Sequence, residues 1–69
     1  MCLATIYIED GDQREELLHD VAWVGPQDGG LQLITLMGES TLLRARIKSI
    51  DLLHGSIVLE RTTMNLAQE

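Results

Sequence analysis

Apolar and polar residues alternate in short bursts along this chain, and nearly every burst is closed by Gly, Asp, Ser or Pro. Leu3-Ala4-Thr5-Ile6-Tyr7-Ile8 is rich in strand-favouring types and stops at Glu9-Asp10-Gly11-Asp12, where Gly11 suits the positive φ of a turn. Arg14 to Leu18 has the composition of a helix turn, but so short a run between turn signals predicts a strand. Val21-Ala22-Trp23-Val24 follows and ends at Gly25-Pro26-Gln27-Asp28-Gly29-Gly30, the densest breaker cluster in the chain and a predicted hairpin loop. In Leu31 to Leu36 the apolar positions fall on both faces of the predicted strand, which calls for a closed barrel or a second chain to cover them. After Gly38-Glu39-Ser40, the run Thr41 to Ile47 sets Leu43, Ala45 and Ile47 against Arg44, Arg46 and Lys48 at period two, predicting one half-buried strand with a basic outer face. Ser49 to Leu53 and Ser56 to Glu60 flank His54-Gly55 and predict a final hairpin.

Six to seven short strands with frequent turn signals predict an all-β domain, a small SH3-like or Sm-like barrel over residues 1–61, followed by a polar tail at 62–69. Length sharpens that expectation. A chain of 69 residues has room for one domain and buries only about 60% of the surface it exposes when unfolded, so a metal, a disulfide or a partner chain is expected to support it. One cysteine excludes an internal disulfide and suits a reducing compartment, so metal and oligomer remain. The apolar runs are far shorter than the roughly 20 residues of a membrane helix, and no signal segment opens the chain; a cytoplasmic location is expected.

Five Lys plus Arg against eleven Asp plus Glu give a formal charge of -6, a poor balance for holding phosphates. Arg44, Arg46 and Lys48 are the one feature that an RNA-binding module of Sm-like or SH3-like kind has to work with, and a solvated face paired with nearby carboxylates is the plainer account. Trp23, flanked by Val21, Ala22 and Val24, reads as core. His19 and His54 have no second ligand at a metal-motif spacing and read as solvated turn residues. No nucleophile-elbow or phosphate-loop pattern surrounds Ser40, Ser49 or Ser56, so the chain does not read as an enzyme.

Cys2 has the most chemical potential. Removal of Met1 would leave an amine and a thiolate able to chelate one metal, and two chains about a two-fold axis would offer two sulfurs, a set suited to Ni(II), Cu(II) or Zn(II) according to geometry. Equally, a free cysteine at the start of a strand is often no more than a small buried hydrophobe.

Met1-Cys2-Leu3-Ala4, Leu36-Met37-Gly38-Glu39, Ile47-Lys48-Ser49-Ile50-Asp51-Leu52 and Ile57-Val58-Leu59-Glu60 together resemble the CooT family, small proteins associated with nickel delivery to carbon monoxide dehydrogenase and often labelled RNA-binding. The resemblance implies an SH3-like barrel, a homodimer, and Ni(II) held at the dimer interface by Cys2 of each chain. It implies a metallochaperone with a metalloenzyme client such as carbon monoxide dehydrogenase, while the charge balance disfavours a nucleic-acid partner and the short apolar runs predict no membrane partner. Met-Cys-Leu-Ala also resembles the start of hydrogenase-maturation chaperones of HypC type, but Thr5 stands where that family continues toward a proline.

Overall fold

A computed structural model gives the arrangement of residues 3–62; Met1, Cys2 and residues 63–69 lie outside the described residues, and with them most of the expected tail. Six strands make up one sheet: β1 (Ala4–Asp10), β2 (Gln13–Gln27), β3 (Gly30–Thr35), β4 (Ser40–Leu43), β5 (Ala45–Asp51) and β6 (Ser56–Arg61). Their order is β4-β3-β2-β1-β6-β5. Every pairing is antiparallel except β1 with β6, which is parallel and sets Ile6 beside Ile57 and Ile8 beside Leu59.

The two strands expected at Arg14 to Leu18 and Val21 to Val24 are one long strand. Its first half pairs with β1 as far as Val21, and its second half pairs with β3 from Val21 onward. The polar pair His19-Asp20, which looks like a break in sequence, is a bend: Asp20 has φ 55°, and the register shifts on either side of it. Extra residues inserted into a ladder increase its twist without ending it, and here they curl the sheet. Asp20 is also tied in place, because its carbonyl accepts the Leu36 N–H at 2.8 Å.

The breaker cluster after Val24 is likewise mostly strand. Only Asp28 and Gly29 turn, both at positive φ (50° and 78°), the backbone of a type I′ hairpin between the paired Gln27 and Gly30. Pro26 is tolerated inside β2 because that half of the strand is paired only with β3.

The run Thr41 to Ile47 breaks at Arg44. β4 pairs with β3, whereas β5 crosses to the far side and pairs with β6, so consecutive strands occupy the two opposite edges of the sheet. The corner is fixed by the Thr62 N–H, which donates to the Arg44 carbonyl at 3.3 Å. Between β4 and β5 no ladder forms, so the structure is a curled half-barrel in place of a hydrogen-bond-closed barrel.

Ile6, Ile8, Val21, Leu31, Leu33, Ala45 and Leu59 form the buried cluster, with Ile6, Leu33 and Leu59 fully enclosed. The alternation expected for residues 43–47 survives only in part: Ala45 is buried, but Ile47 is 42% exposed. A register shift between Ile47 and Ser49 leaves Lys48 as an extra residue, and Ile47 and Ile50 both turn toward an open groove.

Candidate metal centre

Cys2, the sequence's one candidate ligand, lies outside the described residues, which begin at Leu3. Leu3 lines an apolar groove of about 250 Å³ with Ile50, Leu52 and Ile57. That groove runs into a second one of about 300 Å³, which shares Ala4, Ile50, Leu52 and Ile57 and is completed by Trp23 and Ile47. Trp23 is therefore not core: its side chain is 56% exposed. The indole lies over Gly25, where a Cβ would come within 3.0 Å of Cζ2 and Nε1, so the absent side chain gives the ring its seat. Leu52 and Leu53 are almost fully exposed at the tip of the β5–β6 turn.

This turn reaches the start of the chain. The Thr5 N–H donates to the Gly55 carbonyl at 2.8 Å, and a Cβ on Gly55, whose φ is 65°, would lie 3.2 Å from the Leu3 carbonyl. Asp51 organises the turn. Its Oδ1 accepts the backbone N–H groups of Leu53 (3.0 Å) and His54 (3.1 Å), and its Oδ2 is 2.8 Å from His54 Nδ1. The His54 ring first, and the His54 backbone N–H after it, hold the Asp51 carboxyl below the ordinary aspartate range. Sequence reasoning left His54 without a carboxylate; the pairing depends on a turn that folds Asp51 back onto the residue three positions later. The same holds for His19, whose Nδ1 lies 3.3 Å from Glu16.

The three cations of the RNA-binding reading do not lie on one strand: Arg46 and Lys48 are on β5 and Arg44 is not. Arg44 occupies the corner between β4 and β5. Arg46 donates through Nε to Glu60 at 2.7 Å, and Lys48 donates to Glu9, which also accepts from Arg14 at 2.9 Å. Lys48 first, then Arg14, hold the Glu9 carboxyl below its ordinary range. Arg46 and Lys48 are thus occupied by the protein's own carboxylates.

Among the described residues no group of three or more His, Cys, Asp or Glu side chains is arranged to hold a metal ion. By donor type the chain fits a soft or borderline cation only if the Cys2 thiolate is included. No helix of the described residues is long and apolar enough to cross a membrane.

A search of functionally curated proteins finds no match. Among solved structures, the crystal structure of a protein assigned as CooT from Carboxydothermus hydrogenoformans is 34% identical, with a TM-score of 0.84 over 90% of this chain and 100% of that one. The sequence profile of CooT, the CO dehydrogenase accessory protein, matches residues 1–60, a span that takes in Cys2, the groove and the Asp51–Gly55 turn. The chain belongs to the CooT family of CO dehydrogenase accessory proteins.

Proposed function

We propose that this protein is a cytoplasmic nickel metallochaperone, a homodimer in which the Cys2 thiolates of two chains hold one Ni(II) for delivery to a metalloenzyme such as carbon monoxide dehydrogenase. The observation that carries the reading is the apolar groove that Leu3 shares with Ile50, Leu52 and Ile57, directly after Cys2, in a chain of this family. A groove of that character is costly to leave in water, and a second copy laid on it would bring the two N-termini to one place.

The chemistry follows from the donor. A thiolate binds nickel tightly, ligation displaces its proton, and a competing ligand on the client can take its place, so the ion is carried without being consumed. A carrier needs no catalytic group. Affinity order among divalent ions favours copper over nickel, so selectivity rests on geometry and supply. The internal ion pairs of Arg46 and Lys48 weigh against the RNA-binding alternative.

Native mass spectrometry with and without Ni(II) tests the proposal. One nickel per two chains is expected for the wild type, and none for Cys2→Ser, which keeps the fold. Stoichiometric uptake by the serine variant at neutral pH would assign the site elsewhere, and a wild-type monomer that takes up no metal refutes the function.

A further inference from the structure

β2 runs on past the end of β3. From Val21 to Gln27 it pairs with β3, but β3 stops at Thr35, opposite Val21, and no strand of the described residues takes up the lane beyond it. Gln13 to Leu18 therefore have β1 on one side and no strand on the other. In an antiparallel ladder alternate residues turn their N–H and C=O away from the partner strand, so this stretch presents an unpaired edge about 20 Å long at about 3.3 Å per residue. Such an edge is a template for one more strand.

The lane stands empty because the chain turns sharply after β3. The Thr35 N–H donates to the Glu39 carbonyl at 2.9 Å, its carbonyl accepts the Gly38 N–H at 2.9 Å, and its Oγ1 accepts the Glu39 N–H at 3.2 Å. Gly38 supplies the positive φ of 91° that this turn needs. Leu36 and Met37 are held in the turn, 53% and 86% exposed. With Leu17 and Leu18 they line a cavity of about 290 Å³ at the head of the open lane, which shares no residue with the grooves beside Trp23 and Leu3. An ordered turn that keeps apolar side chains in water has less freedom to lose when a partner covers them.

Charge decides what fits there. Asp20 and Glu39 line the same cavity, and Glu15 and Glu16 stand on the open stretch of β2. Arg14, the one Lys or Arg on that stretch, is bound to Glu9, and His19 lies against Glu16 at 3.3 Å. A second copy paired here would set carboxylate against carboxylate, which destabilises a strand pair. A strand carrying Lys or Arg would instead be drawn in. The outer edges of the sheet are poorer templates, since β4 has four residues and β5 is bulged at Lys48.

We propose that the open edge of β2 is a docking site for an extended segment of a partner protein in which apolar residues alternate with Lys or Arg. The segment adds as one more strand beside Gln13 to Leu18 and seats an apolar side chain against Leu36 and Met37. The site is separate from the proposed nickel site and does not depend on it.

The test titrates the ¹⁵N-labelled full-length protein with the capped peptide Lys-Val-Lys-Leu-Lys-Val-Lys, following amide shifts and hydrogen exchange. Alternate amides between Gln13 and Leu18 should exchange freely in the protein alone and slow by about 10-fold or more at saturation, as expected for newly paired edge groups. The amides of Leu36 and Met37 should shift with them. Glu16→Lys combined with Glu39→Lys should weaken binding about 30-fold, each reversal replacing an exposed attraction by a repulsion. Both side chains are exposed, so the double variant should fold as wild type, and circular dichroism checks that. The same peptide N-methylated throughout keeps its charge but cannot pair, and should bind far more weakly. Equal binding by the methylated peptide, shifts confined to β4 or β5, or no saturable binding overturns the proposal. So does protection of the Gln13 to Leu18 amides without peptide: at every dilution it would mean that the chain's own segment fills the lane, and only at high concentration that a second copy does.

Discussion

If the groove around Trp23 is where two copies meet, Trp23→Ala should separate them. The indole is 56% exposed in the single chain. For a side chain that offers about 250 Å², that leaves about 140 Å² to cover, or about 3.5 kcal/mol per copy at about 25 cal/mol/Å². A two-fold contact uses the ring twice. Even if only half of that area is covered, the loss is about 3.5 kcal/mol per dimer, a rise of about 300-fold in the dissociation constant. Sedimentation velocity over a wide concentration range measures it. The already buried part of the ring, about 110 Å², costs the isolated chain about 3 kcal/mol by the same coefficient, out of a total of about 3.5 to 10 kcal/mol for a domain of this length. Leu52→Asp separates the two effects. Its side chain is 88% exposed, so the isolated chain loses little, while a charge enters the contact. A dissociation constant within threefold of wild type for both variants, with unchanged circular dichroism, refutes the assignment of this groove as the interface.

Two further outcomes follow from the fold. A Cβ at Gly30 would lie 2.5 Å from the Leu43 carbonyl oxygen, at the corner where the chain leaves β4, so Gly30→Ala should lower the thermal midpoint by roughly 5 to 20 °C, the equivalent of about 1 to 3 kcal/mol of overpacking in a domain this small. Glu9 should contribute to stability in a pH-dependent way: its folded pKa is lowered from the ordinary 4.5 by Lys48 and Arg14, so its contribution is complete above pH 4.5 and is lost as pH falls through the lowered value. Lys48 mirrors it, raised from 10.5 by Glu9, with a contribution present below pH 10.5 and lost as pH rises through the raised value. Thermal midpoints of Glu9→Gln at fixed protein concentration should therefore show a shallower fall on both flanks, and profiles parallel to wild type would show that the pair does not couple to folding.

The turns were legible in sequence wherever backbone conformation alone decides them. Gly11 and Asp28-Gly29 adopt the positive φ that such residues tolerate, and the hairpins stand where they were predicted. The bulges were not legible. His19-Asp20 is polar enough to end a strand, and only the ladders on either side, to β1 and then to β3, keep β2 continuous through it. Arg44 looks like any alternating residue, yet the chain turns there because β5 finds its partner on the opposite edge of the sheet. Both errors have one cause: period-two patterning reports local pleat, while curvature is set by pairing between residues far apart in sequence.

The site divides along the same line. Cys2 could be singled out by its chemistry and by resemblance to the family, but the pairing of Asp51 with His54 depends on how one turn folds, and the contact of that turn with Leu3 exists only after β1 and β6 align in parallel. Trp23 was misassigned because apolar neighbours in sequence do not reveal which apolar faces one chain can cover. Among the described residues, eight apolar side chains are buried while eight large ones stay exposed, and Trp23, Ile47, Ile50 and Leu52 of the latter line one groove. Scattered exposed leucines are ordinary, but a contiguous set lining one groove is not. A half-barrel this small cannot enclose those residues alone. In the proposed dimer the surplus of apolar surface and the single cysteine per chain would be answered together, by a second copy that covers the groove and supplies the second thiolate.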